Sequence, residues 1–421
     1  MSREAGDRGA LTRRECVRYG GALVGGGLFA GCIGGSGDDD RGGDRIAAGG
    51  SNSSSTSAET SDRTGSKPSQ ERTSATQGSY EATPKPYGPV SFDEPPNSYA
   101  TTGGAWTDVG FAFGSEPAAM SRIDPYPTRY YDLLPGVAFD TNGITDLGNP
   151  SEYGKEQFYE LDVDALLVDR ILLASYADWK RKDFEEIGEN VAPFCGSYIR
   201  NEWSGEALGM DFSFPHYDLP GAVTLAGEIF QQRERATAWT NLHESFRGEL
   251  RSRAPSKSPS IGLLYSASKP AEGTFMITDP TLAGVATRQY RTFGVENGFV
   301  DVDLTDGWKT DYEGLLEADP EYLFFDSTLS MSQENFEKQF VTPLENSEVG
   351  SELRAVEQGN VFRGGGRYQG PIINLFVSEV LAKQLYPEQF GEFSAVGKIP
   401  QGERLFDRKR VADLINGDFQ E

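Results

Sequence analysis

Residues 156–169 read EQFYELDVDALLVD, and residues 313–326 read EGLLEADPEYLFFD. Both run from an acid through a helical turn with spaced apolar residues to an acidic turn, a buried strand and an Asp. Aligned without gaps, Glu156 meets Glu313, Asp164 meets Glu321, and Asp169 meets Asp326. A solenoid repeats every ~20–50 residues, so two copies this far apart indicate two similar α/β lobes instead. Short apolar runs at 166–168 and 322–325 follow helical stretches at 156–161 and 312–317. That alternation predicts parallel sheets covered by helices.

Between the copies lies 219–253, where Leu225, Ile229, Ala236, Trp239, Leu242, Phe246 and Leu250 recur mostly at three- and four-residue intervals. The spacing predicts one long amphipathic helix, entered through Pro220 and ended before Pro255. Such a helix would reach ~50 Å at ~1.5 Å per residue. The lobes then occupy 86–218 and 254–394, and 395–421 forms a C-terminal helical extension around Leu405, Phe406, Val411 and Leu414.

The first 35 residues read as an address. Arg13 and Arg14 precede a glycine-rich apolar run at 20–33, too short to span a membrane, that ends Phe29-Ala30-Gly31-Cys32. A basic region, a short apolar region and small residues at a cleavage point form an export signal. The paired arginines resemble a twin-arginine signal, and small residues before Cys32 resemble a lipobox, which would make Cys32 the lipidated mature N-terminus; a plain cleaved signal is the alternative. Residues 36–85, rich in Ser, Thr, Gly and Asp, cannot bury enough surface to offset their ordering entropy and read as a disordered tether. With Cys16 removed and Cys32 lipidated, Cys195 alone would remain, leaving no intramolecular disulfide.

The 421 residues carry a net charge of −25. Such a surface repels nucleic acid and anionic headgroups. Acid excess with Arg over Lys fits work in high salt, where screening removes self-repulsion.

With the repeat and the export signal in place, the chain from about 99 to 390 resembles the helical-backbone class of ABC-transporter substrate-binding proteins, in a lipoprotein of haloarchaeal type. Residues 103–114, GGAWTDVGFAFG, look like the family's first loop and helix. The two echoed segments look like its helix-to-strand element, with Val163 where Pro is usual and Pro320 kept in the second copy. LRAVEQGNVFR at 353–363 and Leu385-Tyr386-Pro387-Glu388 look like its closing motifs.

The resemblance implies two α/β lobes joined by one long backbone helix, with a ligand cleft between them. It implies a non-enzymatic, monomeric carrier on the outer face of the cell membrane, held there only through its lipid. Its partners would be an ABC permease and the ATPase subunits. It would need no cofactor of its own, and its cargo would be a metal chelate: a ferric siderophore first, a corrinoid (cobalamin) or haem as the alternatives. Expected ligand contacts are Thr102, Trp106, Tyr126, Tyr130, Tyr153 and Arg170 from lobe one, and Tyr265, Lys269, Ser327, Arg363 and Arg367 from lobe two. Aromatic and arginine side chains suit an anionic, conjugated chelate. Trp106 could equally serve core packing, and Arg170 and Arg367 could be solvated charges. Glu156 and Glu313 occupy the positions where the family's lobes dock on the permease, though either could simply complement its helix dipole.

Only His216 and His243 are present, too few for the histidine-rich sites of bare-metal carriers, so no protein-bound metal is expected. No phosphate-loop lysine motif, nucleophile elbow or zinc-protease helix occurs; Arg363-Gly364-Gly365-Gly366-Arg367 reads as a pocket loop. A secreted acidic hydrolase and a structural surface protein are the remaining, remoter readings.

Overall fold

A computed structural model describes residues 78–85, 87–200, 217–305 and 308–419. The export signal, Cys32, most of the tether and His216 lie outside these residues.

The described residues begin with a ribbon where the tether was expected still to run: β1 (Tyr80–Ala82) pairs antiparallel with β2 (Val90–Phe92). Tyr80 stacks on Phe92 at 5.4 Å between ring centroids and its hydroxyl donates to the Ile229 carbonyl. That aromatic contact orders a stretch whose neighbours are all small or polar.

Lobe one is a parallel sheet of four short strands, β3 (Tyr99–Thr101), β4 (Ala119–Met120), β5 (Thr145–Asp146) and β6 (Ala165–Leu167), in the order β5-β4-β3-β6. Helix α1 (Gly104–Phe111) follows β3, α2 (Lys155–Tyr159) precedes β6, and α3 (Arg170–Tyr176) and α4 (Arg181–Asn190) come after it. Every residue of β3 and β6 is buried, as expected of parallel strands covered on both faces. The chain winds outward from β3 and then returns to place β6 beside β3. The crevice of an open α/β sheet lies at such a reversal, beyond the carboxyl ends of the strands.

The single helix expected over 219–253 is two: α5 (Leu219–Ile229) and α6 (Arg233–Arg253). Gln231 adopts a left-handed φ of 53°. Its amide returns to the Glu228 carbonyl at 3.3 Å, while the amide of Gln232 reaches the Gly227 carbonyl at 2.8 Å. This is a Schellman turn, which normally recruits glycine at the left-handed position. Close packing holds the turn, since a Cβ on Gly227 would stand 2.5 Å from that of Ala236. The remaining strut, α6, has 21 residues and is about 32 Å long.

Lobe two departs from the all-parallel expectation. Its strands are β7 (Ser260–Tyr265), β8 (Phe275–Thr278), β9 (Glu296–Asn297), β10 (Lys309–Thr310), β11 (Tyr322–Asp326) and β12 (Val361–Arg363). Strands β7, β11 and β12 are parallel neighbours and β9 also joins β7 in parallel, but β8 and β10 run antiparallel at one edge. Only 266–274 separate β7 from β8, too short for the crossover that a parallel pair requires. Helix α7 (Arg288–Thr292) flanks the sheet, and α8 (Tyr312–Ala318) precedes β11 as α2 precedes β6. The echoed segments are thus equivalent helix–strand units.

Helix α9 (Pro371–Leu385), unforeseen from the sequence, runs through the middle with all of its residues buried. The extension ends in α10 (Arg408–Asn416), which covers α9: Arg408 pairs with the fully buried Glu379, and the Leu405 amide donates to Glu379 Oε1 at 2.6 Å. A central apolar core holds residues of both lobes, α5, α6, α9 and α10, while separate clusters fill the outer side of each sheet. The lobes therefore share one core along their helical seam, while the outer side of each sheet packs separately.

Candidate functional site

The carboxyl ends of both sheets meet at two adjoining cavities. The first, about 90 Å3, is walled by Thr102, Trp106, Ser121, Asp169 and Tyr198 of lobe one, with Arg367 and Tyr368 closing it from lobe two. The second, about 280 Å3, lies between Arg129 and Tyr130 on one side and Ser266, Ser327 and Leu329 on the other. Arg122, Arg367 and Tyr368 line both, which makes them compartments of one cleft. These volumes are modest beside the ~300–1,000 Å3 of ordinary small-molecule sites, so a bulky ligand would also occupy the open mouth.

The strand ends set the geometry. Thr102, just past β3, accepts the Asp169 amide on its Oγ1 at 3.1 Å, tying the two strands together where the sheet reverses. Asp169 Oδ1 accepts from the Ile171 amide at 2.9 Å and so caps α3. Burial pushes its carboxyl up to about 7, against the lowering effect of the amides of Ile171 and Leu172. The matching Asp326 of lobe two instead sits 3.2 Å from Arg367 Nε, and that guanidinium lies over the Tyr265 ring at 4.5 Å. Burial raises the Asp326 carboxyl as well, while Arg367 and Arg200 oppose the rise.

Among the described residues the cleft presents Arg122, Arg129, Arg200 and Arg367, a cationic wall on a chain of net charge −25. Backbone strain helps to aim it. Arg122 has φ 51° and Ser327 φ 65°, one cleft-lining residue from each lobe. The Asp146 carboxylate secures the first by accepting from the amides of Arg122 at 2.9 Å and Ile123 at 3.3 Å. Strained φ values in non-glycine residues gather where surrounding structure enforces a function.

One carboxylate joins the lobes behind the cleft. Asp108 Oδ2, on α1, accepts the amides of Gly370, Ile372 and Ile373 at 2.7, 3.1 and 2.9 Å, and Tyr131 donates to Oδ1 at 2.9 Å. It serves as the missing cap of α9 from 262 residues away. Burial holds its carboxyl near 7 despite these donors. The Arg367–Tyr368 arm immediately precedes Gly370 and is fixed through it.

The expected contacts divide into those that line the cleft and those that stand behind it. Thr102, Trp106, Tyr130, Ser327 and Arg367 line it. Trp106 is wall and core at once: it is 2% exposed, and its indole donates to the Ser197 carbonyl at 2.6 Å. Tyr126 and Tyr153 lie one layer behind, the former on the Tyr131 hydroxyl at 2.5 Å, the latter on Ser121 Oγ. Tyr265 supports Arg367 from below.

Three expected contacts do not reach the cleft. Arg170 turns the other way, stacked on Tyr87 at 4.1 Å and Phe194 at 4.8 Å, because α3 directs it to the outer face of the sheet. Lys269 pairs with Glu272 at 3.0 Å on the surface. Arg363 donates to the Met331 carbonyl at 2.8 Å and borders a separate surface hollow with Lys383 and Phe393. Glu156 and Glu313 are exposed, each in the first turn of its helix. Sequence reasoning did not find Ser121, Arg122, Tyr176, Arg200 or the 197–199 segment.

No family model matches this sequence, and no curated protein matches it. Among solved structures, the petrobactin-binding protein YclQ from Bacillus subtilis is similar at a TM-score of 0.52 and 14% identity, covering 74% of this chain and 99% of that one. The siderophore-binding protein BauB, bound to two acinetobactin molecules and ferric iron, matches at 0.52 and 14%, covering 75% and 100%. A periplasmic solute-binding protein from Mycobacterium smegmatis matches at 0.51 and 13%, covering 73% and 98%. Two sheets that open toward one another across a helical seam, matched over nearly the full length of those proteins, give this chain the two-lobed α/β fold of periplasmic solute-binding proteins.

Proposed function

We propose that the chain is the substrate-binding component of an ABC importer, capturing an anionic metal chelate, a ferric siderophore, in the interlobe cleft. The observation that carries this reading is the arginine wall of Arg122, Arg129, Arg200 and Arg367 between the two lobes, interleaved with Trp106, Tyr130 and Tyr368. Guanidinium groups and aromatic faces together favour a delocalised anion. The structural neighbours YclQ and BauB carry siderophore ligands in their own names, which supports the choice of cargo. The work asked of the site is binding, not catalysis.

In the same reading the chain is exported by its twin-arginine signal and anchored through a lipid on Cys32. It works as a monomer in high salt on the outer face of the membrane, and docks on the permease through Glu156 and Glu313. One acid on each lobe fixes orientation as a two-point contact. An uptake assay tests function and docking together. Cells carrying the native chain should accumulate labelled ferric siderophore. The double reversal Glu156→Lys and Glu313→Lys should abolish uptake while the purified chain keeps its affinity. Uptake that survives the reversal removes the docking role; absence of any chelate-dependent uptake removes the carrier.

A further inference from the structure

The first turn of α1 is the part of the cleft with the most unused donors. Gly103 occupies the N-cap position at φ 82° and supplies no side-chain cap. Its amide donates to Ser121 Oγ at 3.3 Å, and the Trp106 amide returns to the Gly103 carbonyl at 3.2 Å. The amides of Gly104 and Ala105 donate to no atom among the described residues. Such amides carry the positive end of the helix dipole and take a cap, a water or an anion.

All four residues from Gly103 to Trp106 line the smaller cavity. A second, independent feature points the same way. Ser197 is fully buried, lines that cavity, and its hydroxyl has no partner among the described residues. Arg200, whose buried Nε is also unpartnered, lines the cavity together with Arg122 and Arg367. Asp169 shares this space, but its Oδ1 is engaged by the Ile171 amide. A buried hydroxyl and two free amides beside three guanidinium groups are costly to leave unsatisfied, and one bound oxyanion would satisfy them together.

We propose that this cavity is an oxyanion subsite that holds a carboxylate arm of the captured chelate, on the amides of Gly104 and Ala105 and the hydroxyl of Ser197. The proposal rests on the carrier reading for the source of that carboxylate. Trp106, Leu172 and Ile199 give the cavity apolar walls, and its volume of about 90 Å3 suits a carboxylate on a short arm, with the body of the chelate in the larger compartment. Glycine at 104 lets the backbone come this close: a Cβ there would stand 2.7 Å from Tyr126 and from Tyr368.

Calorimetric titration of the full chain in high salt tests the subsite with four probes: iron-free citrate, ferric citrate, a ferric tris-hydroxamate without carboxylates, and inorganic phosphate. Ser197→Ala removes only an unpaired hydroxyl. It should weaken both citrate probes about tenfold, the loss of one charge-assisted hydrogen bond, and leave the hydroxamate within about twofold. Arg122→Gly, at a left-handed position that glycine accepts, should repeat the carboxylate loss if the first variant folds poorly. Equal loss across all chelates, or none, overturns the subsite, as does phosphate binding as tightly as citrate. Tight hydroxamate binding without citrate binding sinks the subsite and leaves the carrier. Binding of free citrate with no ferric chelate bound does the reverse.

Discussion

Asp169 and Asp326 end equivalent strands in the two lobes, yet they solve the burial of a carboxylate in different ways. Asp169 has backbone amides and the Thr102 hydroxyl around it but no paired cation among the described residues, and burial lifts its carboxyl to about 7. Asp326 has a cation, with Arg367 at 3.2 Å and Arg200 contributing from across the cleft. At the strand ends lobe one therefore presents hydroxyls, amides and the guanidinium groups of Arg122 and Arg200 around a carboxyl that burial has raised, and lobe two presents a fixed ion pair over Tyr265. Duplicated architecture does not bring duplicated electrostatics; the partner available within 4 Å decides the charge state.

The comparison can be broken by making the same substitution on both sides. Asp326→Asn should have the larger effect, destabilising the chain by about 3 kcal/mol, because it leaves Arg367 buried without its counter-charge. Chemical denaturation in high salt measures this, and a loss well under 1 kcal/mol would mean the pair is dispensable.

Asp169→Asn should act with the opposite sign, stabilising by on the order of 1 kcal/mol at pH 8. The folded carboxyl near 7 lies above the ordinary value of 3.8, so its contribution to stability is present at low pH and lost as pH rises through about 7. The advantage of the Asn variant should therefore shrink as pH falls from 8 toward 4. A constant difference across that range would show that Asp169 does not titrate there.

The repeat that places these two acids was legible because helix, turn and buried strand leave a periodic trace in both copies. Ser327, which directly follows the second copy, was legible for the same reason, whereas Thr102 and Arg367 were reached only through the family resemblance. Arg122 and Ser121 were not, since β4 consists of Ala119 and Met120 alone and leaves no run to detect. The left-handed backbone of Arg122 also lacks the glycine that would announce it. The break between α5 and α6 was hidden in the same way, with Gln231 where a Schellman turn usually shows Gly. Helix α9 escaped because a helix buried on every side has no polar face and therefore no amphipathic period. Arg170 misled for a local reason. It follows a cleft-facing Asp, but one step along a helix start turns a side chain by about 100°, here onto Tyr87 and Phe194.

The claim on which the rest depends is that arginines of both lobes grip one anionic chelate. Titration of the purified chain with a ferric siderophore that carries carboxylates, native against Arg122→Gly, tests it most directly. One-to-one saturable binding that the variant weakens at least about tenfold, at an unchanged or higher thermal midpoint, is the predicted result. Equal affinity in the two proteins, or no saturable binding of any anionic chelate by the native chain, would contradict it.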